Sequence, residues 1–188
     1  SIVKLNPQQF QNVTSLESLD LSHNAINELH IDLFKKNTKL GRLHFSNNNL
    51  SEVQSQPFGT LVQLYYLGLS HNRINVLHQS SFQELTYLGE LDLSNNNILQ
   101  LHPTQFDELI SLYELDLSNN EIVELHPQQF QNLTRCHDLF LSNNNIRQVN
   151  PQQFHMLIYL EKLNLSNNDI TELHPKQFEG LTWVSSLD

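Results

Sequence analysis

Apolar residues recur along this chain with a spacing of 24 residues, and each unit follows the pattern LxxLxLSxNxIxxLxxxxFxxLxx. The leucines at the fourth and sixth positions alternate with variable residues, which is the period of a β-strand that buries one face. Equivalent strands that are joined by a return path of about 20 residues must lie parallel. Since no unit can bury its apolar side alone, the pattern predicts units stacked into one continuous solenoid.

The repeat divides the chain into units without an insertion. The first position of the successive units is occupied by Leu16, Leu40, Leu64, Leu88, Leu112, Cys136, Leu160 and Val184. We interpret residues 1–188 as a single array, with a partial repeat at 1–15, seven full repeats over 16–183 and a partial repeat at 184–188. With one cysteine, the sequence holds no Cys-rich caps, and an uncapped stack exposes apolar core and a strand edge. We therefore expect an excerpt of a longer protein; the alternative is that a second copy covers the ends.

Two further positions hold the same residue type in every full repeat. The ninth position is asparagine, immediately after the strand: Asn24, Asn48, Asn72, Asn96, Asn120, Asn144 and Asn168. A buried amide must be satisfied by hydrogen bonds, so we expect these residues to form a structural ladder rather than a ligand site. The nineteenth position is phenylalanine, from Phe34 to Phe178, which predicts a packing spine in the core.

This pattern resembles the leucine-rich repeat family, in particular its typical 24-residue subclass, which is common in extracellular receptors such as Toll-like receptors and in adhesion proteins. The resemblance covers the whole chain. It implies a leucine-rich repeat solenoid: a curved right-handed coil with a parallel β-sheet on the concave face and mostly irregular, 3-10 or extended convex segments. It also implies that the asparagine ladder bonds the backbones of neighbouring turns. Because one fold hosts many functions, the function must be sought at the variable positions.

Composition and charge exclude several classes of function. A formal net charge of -10 argues against binding to nucleic acid or to an anionic membrane surface, so we expect no nucleic-acid partner. The longest apolar runs are only a few residues, so we also expect no membrane insertion. There is no glycine-rich phosphate loop, serine nucleophile elbow or HExxH motif, so we predict no enzyme activity and no cofactor. Cys136 occupies an inward leucine position and should be a small buried hydrophobe. The many glutamines mostly fill the outer segment of each repeat.

The second, third, fifth and eighth positions are variable and form columns on the outward face of the predicted sheet. Basic and aromatic residues dominate one half of this face: Arg42, His44, Tyr65, Tyr66 and His71, with Tyr113 and Phe140 extending the aromatic area. Acidic residues dominate the other half: Glu90, Asp92, Glu114, Asp116 and Asp138. Like charges on adjacent strands are destabilising, so we infer that the acidic cluster does not serve stability. Tyrosine and arginine are enriched in interface hot spots, which favours a ligand-binding surface for a protein or peptide of complementary charge.

Other interpretations of the polar positions stay open. The acidic residues could bind calcium, but no loop wraps them, so we predict no metal site. The fifteenth position carries His30, His78, His102, His126 and His174, which we interpret as surface residues, with a pH-sensitive or metal-binding stripe as the alternative. Asn37 interrupts a leucine column and predicts a solvated local defect.

Four N-x-S/T sequons are candidate glycosylation sites, at Asn12, Asn49, Asn132 and Asn164. Because asparagine, serine and threonine are abundant in the chain, sequons are expected by chance, and their number does not by itself indicate secretion. A glycan at Asn164 would lie on the concave face and would oppose ligand contact there. Asn12 and Asn132 occupy equivalent outer positions and are the better acceptors.

We hypothesise a non-enzymatic protein-recognition module of an extracellular innate-immune receptor or secreted immune protein, with its ligand on the concave face. The alternative is a cell-adhesion or developmental cell-surface ectodomain, with a homodimer as a further option. A third interpretation is a structural spacer. In each case the expected location is extracellular, either secreted or as the ectodomain of a membrane-anchored protein.

Overall fold

The computed structural model describes residues 1–188 as a stack of equivalent turns that contain strands but no helix. The strands are β1 (Ser18–Asp20), β2 (Arg42–His44), β3 (Glu52–Val53), β4 (Tyr66–Gly68), β5 (Val76–Leu77), β6 (Glu90–Asp92), β7 (Glu114–Asp116), β8 (Asp138–Phe140), β9 (Lys162–Asn164) and β10 (Ser186–Leu187). Eight of them form one parallel sheet in the order β1-β2-β4-β6-β7-β8-β9-β10, and β3 pairs with β5 on the opposite side of the stack. The predicted solenoid with a parallel sheet is confirmed. No helix in the structure is long and apolar enough to cross a membrane.

Neighbouring strands of the large sheet pair in register with the same offset as the sequence repeat. Leu43 lies opposite Leu67, and Leu67 lies opposite Leu91. These central leucines face the interior and are 0–1% exposed. The residues on either side of them face outward, so equivalent variable positions form columns spaced by about 5 Å.

The nineteenth-position phenylalanines stack along the interior. Phe82, Phe106, Phe130 and Phe154 are 0–2% exposed, and their successive ring centroids are 6.3–6.4 Å apart. Cys136 lies in the same core with no exposed surface, and burial raises the pKa of its thiol to about 12. The thiol is therefore protonated at neutral pH and has the character of a small apolar side chain.

Each ninth-position asparagine joins two repeats through its side-chain amide. The Oδ1 atom of Asn120 accepts a hydrogen bond from the backbone nitrogen of Ile98, and its Nδ2 atom donates to the carbonyls of Leu93 and Leu117. Equivalent bonds are made by Asn48, Asn72, Asn96, Asn144 and Asn168. The amide thus satisfies backbone groups that the turn out of the sheet leaves unpaired.

Glutamines form a second ladder on the other side of the stack. The Nε2 atom of Gln129 donates to the carbonyl of His102 in the preceding repeat at 2.8 Å. The same bond is made by Gln105, Gln153 and Gln177, and all four residues are 1–3% exposed. The view of glutamine as outer filler is therefore wrong at the eighteenth position, because the backbone carbonyls there need a donor.

Two polar positions expected at the surface have structural roles. Asn37 is fully buried rather than solvated, because its Nδ2 atom donates to the carbonyls of Phe10 and Val13 at 3.1 and 3.0 Å. At the fifteenth position, the Nδ1 atom of His126 accepts a hydrogen bond from the backbone nitrogen two residues later. Asn150 accepts the same bond through its Oδ1 atom. The fifteenth position therefore favours a side chain that can accept a hydrogen bond from the backbone of the following turn.

Candidate functional site

The concave face is the outward side of the large sheet, and its acidic half contains three adjacent third-position carboxylates. Strand register places Glu90 opposite Glu114, and Glu114 opposite Asp138. We call Glu90, Glu114 and Asp138 the carboxylate row. Burial, and then the neighbouring charges of Asp138 and Glu90, raise the pKa of Glu114. The row therefore concentrates negative charge that the fold does not neutralise at Glu114.

Asp138 differs from the other two members of the row because it is buried. Its Oδ2 atom accepts a hydrogen bond from the Nζ atom of Lys162 at 2.7 Å, on the adjacent strand. The Asp138 side chain is 8% exposed, whereas that of Lys162 is 52% exposed. The Oδ1 atom of Asp138 is buried and has no hydrogen-bond partner.

The fifth-position aspartates have a second role within the fold. Asp92 accepts hydrogen bonds from the backbone nitrogen and the hydroxyl of Ser94, and Asp116 accepts one from the backbone nitrogen of Ser118. These bonds close the turn that follows each strand. Asp92 and Asp116 therefore have a local structural role in the turn that the sequence analysis did not foresee, although burial raises the pKa of Asp116 above its ordinary value.

In the basic-aromatic half, two tyrosine rings lie over glycines. The ring of Tyr66 covers Gly68, where an added Cβ atom would lie 2.9 Å from the tyrosine hydroxyl. Tyr65 covers Gly89, where a Cβ atom would collide with the ring. Arg42 is exposed and makes no ion pair, and it lines an open groove beside Gly41. The glycines thus allow the two tyrosines to lie flat along the sheet.

His44 and His71 occupy different environments in this half. The ring of His44 lies 4.6 Å from that of Tyr66, centroid to centroid. His71 is exposed and has a φ of 52°, and every other eighth-position residue in a full repeat also has a positive φ near this value. Asparagine and histidine tolerate this left-handed conformation better than most residues. The residue type at His71 therefore has a backbone explanation that is independent of a ligand.

Exposed aromatic and aliphatic side chains continue beyond the sheet along its lateral flank. Tyr113 stacks on His137 with ring centroids 4.4 Å apart, and His137 stacks on Tyr159 at 6.0 Å. The lateral flank is formed by the exposed residues Val62, Tyr65, Tyr87, Ile110, Tyr113, Ile158, Tyr159 and Trp183. Most of these residues were not identified from the sequence, because they precede the strand and lie outside the four variable positions that we considered. The recurrence of apolar residues at the last two positions of the repeat could have revealed them.

Phe140 lies on the concave face itself and is half-buried between the two neighbouring strands. No group of three or more His, Cys, Asp or Glu side chains on the face is arranged to hold a metal ion. The arrangement offers charged and aromatic contacts over several adjacent strands, which suits the binding of an extended surface.

Three of the four sequon asparagines, Asn12, Asn132 and Asn164, differ in the hydrogen bonds that their side chains make. Asn12 is exposed and its side chain makes no hydrogen bond. The Nδ2 atom of Asn132 donates to the carbonyl of Asp107 at 3.2 Å. Asn164 accepts two hydrogen bonds from Ser166 through its Oδ1 atom. Among the equivalent outer positions, Asn12 is therefore the freer acceptor.

Comparison of the sequence with protein families gives a match to the Leucine rich repeat family in overlapping segments that together span residues 1–188: 1–50, 14–74, 38–98, 62–122, 86–146, 110–170 and 134–188. This confirms the resemblance seen in the repeat pattern. No curated protein is significantly similar to the chain in sequence.

Solved structures with the same fold include immune and bacterial proteins. In the TLR13-ssRNA13 complex, the matched chain is 28% identical with a TM-score of 0.92, over 97% of this chain and 26% of that one. The functional domain of InlJ from Listeria monocytogenes, which includes a cysteine ladder, is 26% identical with a TM-score of 0.75, over 98% of this chain and 36% of that one. The Drosophila Toll-Spatzle complex matches at 23% identity and a TM-score of 0.80, over 100% of this chain and 30% of that one, and shows the fold alone. The chain thus spans about a quarter to a third of the length of these neighbours.

Proposed function

The chain belongs to the leucine-rich repeat family, and on that basis we propose that it is a non-enzymatic recognition module that binds a protein partner on its concave face. The observation that carries this proposal is the pair Glu90 and Glu114, which lie side by side on adjacent strands and make no ion pair. Such a pair weakens the fold slightly, so its presence needs a reason other than stability. A partner that supplies positive charge gives that reason.

The aromatic residues supply the second component of the binding surface. Tyr113 is 42% exposed, and Phe140 faces outward beside the carboxylate row although an outward phenylalanine has no role in the core. Aromatic residues are enriched at protein interfaces, and tyrosine is among the residue types most enriched at binding hot spots. We place the candidate ligand-binding residues in two groups, with Glu114 and Tyr113 at the centre and Arg42 and Tyr65 at one end.

The setting that we propose is extracellular, in an innate-immune receptor or a secreted immune protein. The similarity to the TLR13 chain supports this setting, and a cell-adhesion or developmental ectodomain is the second candidate. The expectation that nucleic acid is excluded has no support from that neighbour, which is in complex with ssRNA13. The net charge of -10 and the carboxylate row favour a cationic protein surface over a polyanion, and RNA is retained as an outcome of the test.

The experiment is affinity capture with this chain from extracellular extracts, in parallel with a face variant and a control. The face variant carries Tyr113→Ala and Phe140→Ala, and the control carries Leu99→Ala, which removes an exposed apolar side chain outside the sheet. We expect a protein that the unmodified chain and the control retain and that the face variant loses. Retention by all three chains would place the binding surface elsewhere, and retention of RNA in place of protein would overturn the partner class.

A further inference from the structure

Gly41 and Gly89 occupy equivalent positions, each immediately before a strand of the large sheet, but their surroundings differ. The ring of Tyr65 lies where a Cβ atom of Gly89 would be, so that glycine is needed to seat the ring. At Gly41 a Cβ atom would lie 3.6 Å from the carbonyl oxygen of Glu17 and 3.9 Å from that of Gln63, which are ordinary van der Waals contacts. Gly41 also has no positive φ. Neither packing nor backbone conformation therefore requires glycine at position 41.

A glycine that the fold does not require needs another explanation. Glycine loses more conformational freedom on folding than any other residue, so it weakens the structure wherever a side chain would fit. In strands and beside them, glycine often marks a site where a ligand or another backbone approaches closely. Gly89 shows, within the same molecule, that a bare backbone at this position accepts a flat aromatic ring. Gly41 offers an equivalent surface that no side chain of the chain covers.

Gly41 lies in an open groove of about 670 Å³, a volume that suits a bound side chain and its neighbours. We call this the Gly41 groove and define it by Lys39, Gly41, Arg42, Val62, Tyr65 and Tyr87. Lys39 and Arg42 are exposed and make no ion pair, and the one carboxylate that lines the groove, Glu17, pairs with neither. Val62 and Tyr87 are 50% and 60% exposed. The groove thus combines unpaired positive charge with aromatic and apolar surface.

The distribution of charge along the stack favours an anionic group at this end of the face. Residues 1–50 contain five lysines and arginines and four aspartates and glutamates, whereas residues 51–188 contain five and sixteen. An anionic group is therefore repelled least near the Gly41 groove. A short acidic segment can be held there, whereas a long polyanion that continues along the face meets the carboxylate row.

We propose that the Gly41 groove binds an aromatic side chain of the protein partner, with the ring on Gly41 and a neighbouring carboxylate of the partner paired with Arg42. This inference rests on the proposed function, because it takes the concave face as the binding surface. It names the chemistry that the partner presents at this end of the face, which the proposed function leaves open.

Each part of this ligand matches a feature of the groove. A ring can make offset or edge contacts with Tyr65 and Tyr87, which an aliphatic side chain cannot make. The guanidinium of Arg42 presents N–H donors in a planar fork that matches the two oxygens of a carboxylate. The ammonium of Lys39 adds positive charge at the same groove. An aromatic residue beside an acidic one therefore satisfies both the surface and the charge.

The test uses three blocked pentapeptides as probes: tyrosine flanked by two glutamates, tyrosine flanked by two glutamines, and leucine flanked by two glutamates. Amide shifts of residues 41 and 42 are followed by NMR as each peptide is added to the full chain. We expect the first peptide to bind at least about tenfold more tightly than either of the others, because only it supplies both ring and charge. Equal binding of the first peptide and either control would overturn the proposal.

Two variants at position 17 test the groove itself. Tyr65 precedes Gly89 by 24 residues, and Glu17 precedes Gly41 by the same number. Glu17→Tyr should therefore place a ring of the chain on Gly41 and weaken binding of the acidic tyrosine peptide by at least about tenfold. Glu17→Gln removes the same charge without adding a ring, and it should bind the peptide at least as tightly as the unmodified chain. Equal affinity of the two variants would overturn the groove.

A second pair of variants tests the role of Arg42. Arg42→Gln should weaken binding of the acidic tyrosine peptide by about tenfold, because it removes the partner of the carboxylate. Arg73→Gln makes the same change in net charge at an exposed position outside the sheet and should leave binding unaltered. Equal losses in the two variants would overturn the assignment of Arg42 and would indicate general attraction between the peptide and the chain.

The proposed function and this inference fail in distinguishable ways. If the captured partner is lost with the Tyr113→Ala and Phe140→Ala variant but retained by Glu17→Tyr, the concave face binds a partner and the Gly41 groove is not its anchor. If the acidic tyrosine peptide binds as expected and no captured partner depends on the face, the groove is a binding site and the proposed function fails.

Discussion

The amide oxygen of Asn120 accepts a hydrogen bond from the backbone nitrogen of Ile98 at 3.1 Å, across the boundary between two repeats. The amide nitrogen of the same residue donates to carbonyls of both repeats. One side chain therefore satisfies backbone groups on two neighbouring turns, and its loss leaves several of them unpaired in the interior.

We predict that Asn120→Ala destabilises the solenoid by more than about 2 kcal/mol, because each stranded buried group costs about 1–3 kcal/mol. The matched control is Asn97→Ala, since Asn97 is exposed and bonds only the carboxylate of Glu121 through its side chain. Urea unfolding followed by circular dichroism measures both. Equal losses of unfolding free energy in the two variants would contradict a stabilising role of the asparagine ladder.

The glutamine ladder gives a second test on two adjacent residues. Gln129 is 1% exposed and donates to the carbonyl of His102, whereas Gln128 is exposed. We predict that Gln129→Ala costs about 1–3 kcal/mol and that Gln128→Ala changes stability by less than about 0.5 kcal/mol. The free energies of unfolding in urea should separate the two. An unchanged free energy of unfolding in Gln129→Ala would mean that the glutamine ladder does not stabilise the fold.

His71 tests whether a candidate ligand residue is set by the backbone. Because its φ is 52°, we predict that His71→Asn keeps stability and that His71→Val loses about 1–2 kcal/mol. The control is His44→Val, within strand β2, where a β-branched residue is favourable. Thermal unfolding of the three variants is the measurement. If His71→Asn also abolishes binding of the captured partner, the imidazole contacts the ligand and the backbone explanation is incomplete.

The carboxylate row predicts a stability change that depends on pH. The pKa of Glu114 is raised in the folded chain by burial and by Asp138 and Glu90, so ionised Glu114 weakens the fold as the pH rises through that raised value. Glu114→Gln should therefore stabilise the chain at neutral pH by about 0.2–1 kcal/mol. The gain should vanish in acid, once the glutamate is protonated in both states.

Asp20 provides a control of opposite sign for this pH dependence. Its hydrogen bonds from Ser22 lower its pKa, so its stabilising effect is present at neutral pH and is lost as the pH falls through that lowered value. Asp20→Asn should therefore reduce stability at neutral pH, where Glu114→Gln raises it. Urea unfolding at neutral and acid pH compares the two, and a loss of stability in Glu114→Gln at neutral pH would rule out charge repulsion in the row.

The repeat pattern predicted the strands and the sheet because the inward leucines alternate with period two and the spacing never changes. The positive φ of His71, the bond from Gln129 to His102 and the bond from Ser118 to Asp116 were not predictable in this way. The two hydrogen bonds depend on where a backbone nitrogen or carbonyl needs a partner, and the positive φ depends on the path of the turn after the strand. The order of apolar residues encodes neither.

The candidate site shows the same division between predictable and unpredictable features. The adjacency of Glu90 and Glu114 follows directly from the repeat, because equal positions in successive units must become neighbours. The burial of Asp138 does not, since it depends on how the side chains around it pack. A ligand-binding role for the concave face remains a prediction that only binding can test.

The most direct measurement of that role is the dissociation constant of the captured partner for two charge-reversed chains. One carries Glu90→Lys and Glu114→Lys on the concave face, and the other carries Glu124→Lys and Glu172→Lys at exposed positions outside the sheet, with the same change in net charge. Thermal unfolding first establishes that both variants fold. Calorimetry then gives the dissociation constant of each, so that the contribution of the concave face is separated from that of net charge. We predict that the face variant binds at least about a hundredfold more weakly while the control binds like the unmodified chain. Equal affinity in the two variants would contradict the assignment of the concave face as the recognition surface.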